Sequence, residues 1–141
     1  MNSLKRIMLL LIGLSLLVDI KLLLTHANID NDYEETIAKG IDAYCQRDFM
    51  KAARLFSNAI ALNSNSLPAR KYYATALFTE YFKSVIVIVA PKVDPAEDWT
   101  LAHKIIGAYQ DVIDISKDPK EIDTAYENMA ASYSKLGETE T

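Results

Sequence analysis

The stretch Gly40-Ile-Asp-Ala43-Tyr44-Cys-Gln-Arg-Asp48-Phe49-Met-Lys-Ala52-Ala-Arg-Leu-Phe56-Ser-Asn-Ala59-Ile60-Ala-Leu62-Asn63 decides how the chain is read. Ala52, Leu55, Phe56, Ala59, Ile60 and Leu62 recur at helical spacing and form one apolar face. Asp48 stands at an N-cap position, so a short turn separates this helix from one that ends beside Tyr44 and Cys45. A link that short forces the two helices into an antiparallel hairpin. Gly40 and the alanines allow the axes to approach closely, while Tyr44, Phe49 and Phe56 fill the space around the crossing.

The same punctuation recurs on both sides. Asp32 is placed to cap a helix whose third residue is Glu35, and Asp94-Pro95-Ala96-Glu97 and Asp118-Pro119-Lys120-Glu121 combine an Asp cap, a first-turn Pro and a Glu. Pro68 sits in the first turn of another helix. These signals predict helices near 33–46, 49–62, 67–84, 96–115 and 119–136. The last carries an apolar stripe of Ile122, Ala125, Tyr126, Met129, Ala130, Tyr133 and Leu136. Val85 to Val89 is a β-branched run, but no second run exists to pair with it, so the third helix is expected to continue to about Ala90 before a loop reaches Pro95.

Composition agrees with an all-α chain. With 141 residues, 50% hydrophobic and 24% charged, the sequence can bury one ordinary core, and four Gly with four Pro are too few for a turn-rich barrel or sandwich. A net charge of −4 argues against nucleic acid as a principal partner. A single Cys excludes an intramolecular disulfide and a multi-thiolate zinc site.

Lys5 and Arg6 precede the apolar run Ile7 to Val18, and after Asp19 and Lys21 the run resumes at Leu22-Leu-Leu24. This is a basic region followed by a core of signal-peptide length, with Thr25-His26-Ala27 as a cleavage site. The expected layout is a signal peptide or signal anchor over 1–27, a linker over 28–32, the helical domain over 33–138 and a tail over 139–141. The domain is then exported, periplasmic or extracytoplasmic, or is anchored in the membrane by an uncleaved helix, with membrane contact only through residues 7–24.

The quoted stretch resembles the second half of a tetratricopeptide repeat, with Gly40 at the helix crossing, Tyr44 one turn later, Asp48 and Phe49 at the turn, and Ala52, Phe56 and Ala59 on the second helix. Tyr72, Ala74, Leu77 and Phe78 begin a middle repeat 34 residues after the first, and its second helix, with Ala102, Ile106 and Tyr109, comes late. Ala125 to Glu138 looks like the first helix of a further repeat, with Ala130 in the role of Gly40. The sequence departs from the pattern at Lys39, where the family prefers Leu, and at Ser64, where it closes with Pro. The resemblance implies a short right-handed α-solenoid of antiparallel hairpins, two and a half repeats and five helices long. The layout is similar to that of exported bacterial tetratricopeptide proteins.

No catalytic, cofactor or metal constellation is read from the sequence: His103 stands alone on its helix, and Asp111 with Asp114 reads as a solvated face. Cys45 is expected as a small buried or half-buried residue, and Trp99 as core material. If the hairpins stack as in the resembled family, the first helix of each repeat lines a concave groove. That groove would take Ile37, Ile41 and Tyr44 from the first repeat, with Cys45, and Lys71, Tyr72, Thr75 and Phe78 from the second, with Thr79. Asn128 and Lys135 would come from the last, with Ala131. Tyr44, Tyr72 and Phe78 are the expected anchors for a bound protein or peptide segment. Lys71 alone is suitably placed for the carboxylate clamp found in some family members, so an apolar extended or helical segment is the expected ligand. The expected function is non-catalytic protein binding. The alternatives are a structural subunit of an envelope or membrane complex, docking or oligomerising through residues 122–136, and a ligand-binding or enzymatic bundle using the 90–99 insertion.

Overall fold

The computed structural model describes residues 3–86 and 95–139, with side chains described for Leu17, Val18, Lys21–Lys83 and Trp99–Gly137. The described residues form five α-helices: α1 (Ser3–Cys45), α2 (Phe49–Leu62), α3 (Leu67–Ile86), α4 (Pro95–Ile115) and α5 (Pro119–Thr139). Each helix packs on the next in sequence. The expected run of the third helix to Ala90 and the loop after it lie outside the described residues.

The helix starts are made as the capping residues require. Asp48 Oδ1 accepts from the N–H of Lys51 at 3.1 Å, and Asp118 Oδ1 from that of Lys120 at 3.0 Å. α3 has a cap not foreseen above: Ser66 Oγ accepts from the N–H of Ala69 at 3.2 Å. α1 ends in a Schellman motif, in which Asp48 N–H reaches the Ala43 carbonyl and Arg47 N–H that of Tyr44, both at 3.0 Å. Arg47 occupies the left-handed position of that motif at φ 64°.

At the α1–α2 crossing Gly40 lies directly on the ring of Phe56. A β-carbon at Gly40 would stand 2.5 Å from Phe56 Cε1 and 2.8 Å from Cδ1, inside contact distance. Around this crossing Ala43, Ala52, Ala53 and Ala59 are buried, and Ala74 and Ala102 continue the core into α3 and α4 with Leu77, Tyr81, Ile105 and Tyr109. Gly40 thus lies at a helix crossing, and Ala74 is buried. Ala130 is not: it is exposed, between Tyr126 and Tyr133, which are 54% and 55% exposed. The expected apolar stripe of α5 is split, because α4 covers only part of it. Ala125 and Leu136 are buried, and Ser132 with them.

The structure differs from four further expectations. α1 is 43 residues long and runs unbroken through 28–32, the expected linker. No Gly or Pro interrupts that segment, and extending an existing helix costs far less than starting a new one. Asp32 and Glu35 form no capping box, since the Asp32 carbonyl accepts from Thr36 Oγ1 inside the helix and Glu35 pairs with Lys39 at 2.6 Å. Cys45 is an exposed thiol, and Trp99 is 53% exposed with its ring 3.8 Å from that of His103. Toward its N-terminus α1 exposes Leu17, Val18, Leu22, Leu23, Leu24 and Ile29. Among the described residues no helix is long and apolar enough to cross a membrane.

The glycines give a test with an internal control. Gly40→Ala should lower stability by about 1–3 kcal/mol despite the better helix propensity of alanine, because the added methyl forces the Phe56 ring out of its packed position. Gly107→Ala, with nothing within 4 Å of its added methyl, should raise stability by about 0.5–1 kcal/mol. Thermal and urea denaturation of both variants, with Phe56→Leu as the second-site relief for the first, measures the difference.

Candidate functional site

Side-chain bonds set α1, α3 and α5 beside one another with the same polarity. Tyr33 is hydrogen-bonded to Ser66 at 2.6 Å, and one helical stretch later Tyr44 OH meets Thr79 Oγ1 at 2.9 Å. The Thr79 hydroxyl proton goes to the Thr75 carbonyl, so Tyr44 is the donor to Thr79. On the other flank of α3, Lys71 donates to Glu121, and Lys135 donates to the Tyr81 carbonyl at 2.7 Å. Both pairs of links advance in the same direction along the chain, as parallel neighbours require.

Two open cavities lie along the exposed side of this layer. The first, of about 340 Å³, is lined by Ile41, Tyr44, Phe56, Lys71, Tyr72 and Thr75. Three of its six lining residues are aromatic, with the Phe56 and Tyr72 rings 5.2 Å apart. The second, of about 330 Å³, also has Lys71 and Thr75 in its wall, and adds Tyr109, Lys120, Glu121 and Asn128. The shared residues make the two cavities one groove, apolar at one end and polar at the other.

Of the groove residues read from the sequence, Ile41, Tyr44, Lys71, Tyr72 and Thr75 converge on the apolar end, and Asn128 lies at the polar end. The other three serve packing. Ile37 is in the buried core. Phe78 is half-buried, with its ring 4.5 Å from Phe82 and 6.1 Å from Tyr109. Lys135 is held over the Tyr81 ring, 3.6 Å from its centroid. Phe56, given only a packing role from sequence, also lines the apolar cavity. Glu121, expected to close a capping box, instead reaches across to α3.

The electrostatics of the groove follow from that reach. Glu121 accepts from Lys71 and, at 2.7 Å, from the Ser116 hydroxyl. These two hydrogen bonds, Lys71 first, hold its carboxyl below the usual range, opposed by partial burial. Lys71 is thereby neutralised at the junction of the cavities. Burial pushes the Tyr109 phenol up, against hydrogen bonds from Thr75 and from Asn128 Nδ2 at 3.0 Å. The polar end therefore offers hydroxyl and amide groups from Tyr109, Thr124 and Asn128, with Asp118 and Lys120 also in its wall. Among the described residues no group of His, Cys, Asp and Glu could hold a metal ion. His103 is exposed, its Nδ1 within hydrogen-bond distance of the Trp99 carbonyl. Asp111 accepts from Arg70, and Asp114 from Gln110. Of the 90–99 insertion, residues 90–94 lie outside the described residues.

No protein-family model, no curated protein and no solved structure matches the chain.

Glu121 gives the groove a pH signature. Its folded pKa is depressed, so the stabilisation it provides is complete above the ordinary carboxylate range and is lost as pH falls through the lowered folded value. Glu121→Gln should lower Tm at pH 7 and flatten the acid limb of the Tm–pH profile. Thermal scans between pH 3 and 7 check this.

Proposed function

We propose that the protein is a non-catalytic scaffold of the tetratricopeptide-repeat kind that binds a peptide or protein segment along the face shared by α1, α3 and α5. The repeat reading of two and a half hairpins draws on the small residues Gly40 and Ala74 at buried positions, and on parallel α1, α3 and α5. The observation that carries the binding reading is the convergence of Tyr44, Phe56 and Tyr72 on one open cavity that continues into a polar one. Rigid aromatic walls bury much area at low entropic cost, and neutral hydroxyl and amide groups beside them suit the backbone of an extended segment. The proposed setting is outside the cytoplasm, or tethered to a membrane. Its support is the basic start and apolar run of residues 5–18, and the exposed leucines that surround α1 at 22–24.

A random linear-peptide display library, selected on the full chain, tests the groove. Enriched peptides should carry a bulky apolar residue, and should lose at least tenfold in affinity on Tyr44→Ala or Tyr72→Ala while circular dichroism stays unchanged. A library yielding no ligand, or ligands indifferent to both substitutions, refutes the reading.

The exposure of Tyr126 and Tyr133 on either side of Ala130 favours a second reading, in which residues 122–136 dock on another subunit or a second copy. Light scattering should then give an oligomer that Tyr126→Ser with Tyr133→Ser converts to monomer. A wild-type monomer across the micromolar range counts against oligomerisation by this face.

A further inference from the structure

α3 presents a different surface on the side away from the groove. Lys71 and Thr75 face the groove, whereas Tyr73 and Leu77, each two residues further on and so about 200° around the helix, face a cleft between α2 and α4. This cleft has a volume of about 250 Å³. Met50, Tyr73 and Leu77 supply its apolar lining, Arg54 and Asn58 stand on the α2 wall, and Lys104 on the α4 wall.

The charge of the cleft runs against that of the chain. The protein carries a net −4, yet among the described residues no acidic side chain lines the cleft, and α2 contains no Asp or Glu between Phe49 and Leu62. Arg54 and Lys104 are exposed and form no ion pair among the described residues. Of the carboxylates of α3 and α4 whose side chains are described, Glu80 pairs with Lys83, Asp111 with Arg70, and Asp114 with Gln110. Lys51, one turn before Arg54 on α2, is also exposed. In the groove, by contrast, Lys71 is neutralised within the protein.

The geometry points to a second binding site, in which an acidic protein segment seats one apolar side chain on Met50 and Tyr73, above the buried Leu77, and places carboxylates against Arg54 and Lys104. Two cations facing each other across an apolar floor match carboxylates that flank a hydrophobic residue, and Arg54 can engage one of them through two parallel hydrogen bonds. Nucleic acid fits less well, because its backbone needs a longer run of cations than this cleft has. The site is independent of the groove.

The test uses the full chain and three fluorescein-labelled probes: an amidated hexapeptide alternating glutamate and leucine, its lysine-for-glutamate counterpart, and an oligothymidine octamer. Fluorescence anisotropy at 50 mM and 200 mM salt should show the glutamate probe binding at least tenfold more tightly than the other two, with weakening at the higher salt. Arg54→Glu with Lys104→Glu should abolish that preference, and the milder Arg54→Gln should reduce it. Tyr72→Ala in the groove should leave it unchanged. The proposal is overturned if the glutamate probe does not bind, if charge reversal leaves its affinity intact, if Tyr72→Ala removes the binding, or if the oligothymidine binds as well.

Discussion

The structure depends first on the absence of a side chain. Gly40 lets the ring of Phe56 lie against the backbone of α1, which brings α1 and α2 close enough for the surrounding alanines to pack. Close approach of this kind is demanding, because a packed interior neither compresses nor leaves room for an extra methyl. Its effect reaches the surface as well. The same Phe56 ring sits beside Tyr72 of α3 and forms part of the aromatic cavity, so the contact that holds the first hairpin also sets one wall of the groove.

Polar links then fix the remaining helices. Tyr33 and Tyr44 join α1 to α3, while Lys71 and Lys135 join α3 to α5. They work because each is partly sheltered from water and places a donor against a well-oriented acceptor. Lys71 has a further consequence, since pairing with Glu121 removes a free charge from the middle of the groove. The two faces of α3 therefore differ in kind: one side is aromatic and pairs its lysine with Glu121, the other carries cations that form no ion pair among the described residues.

Much of this was legible in the chain. The ends of α2 and the starts of α4 and α5 fall where Asp48, Pro95 and Pro119 predict, because caps and first-turn prolines act through neighbouring backbone groups. Ile41, Tyr44, Lys71, Tyr72 and Thr75 of the expected groove meet in one cavity, since helical spacing dictates which side chains share a face. Long-range choices were not legible. Nothing in local sequence says that Glu121 will prefer a lysine fifty positions earlier to its own helix terminus. The apolar stripe of α5 gave no sign that only part of it would be covered, and Asn28 to Asp32 read as a linker although nothing there stops a helix. Arg54 and Lys104 drew no attention because their opposition exists only once α2 and α4 flank α3.

α1 runs without a break from Ser3 into the wall of the groove, where Ile41 and Tyr44 stand. A helix of this kind is stiff in torsion, so the arm and the groove share one rotational phase. Adding a single residue between positions 25 and 31 would turn everything beyond it by about 100° around the helix axis, while adding seven would restore nearly the original heading and move the body about 10 Å further out. The length of the arm sets a distance, and its residue count sets the compass bearing of the groove relative to the far end of the arm.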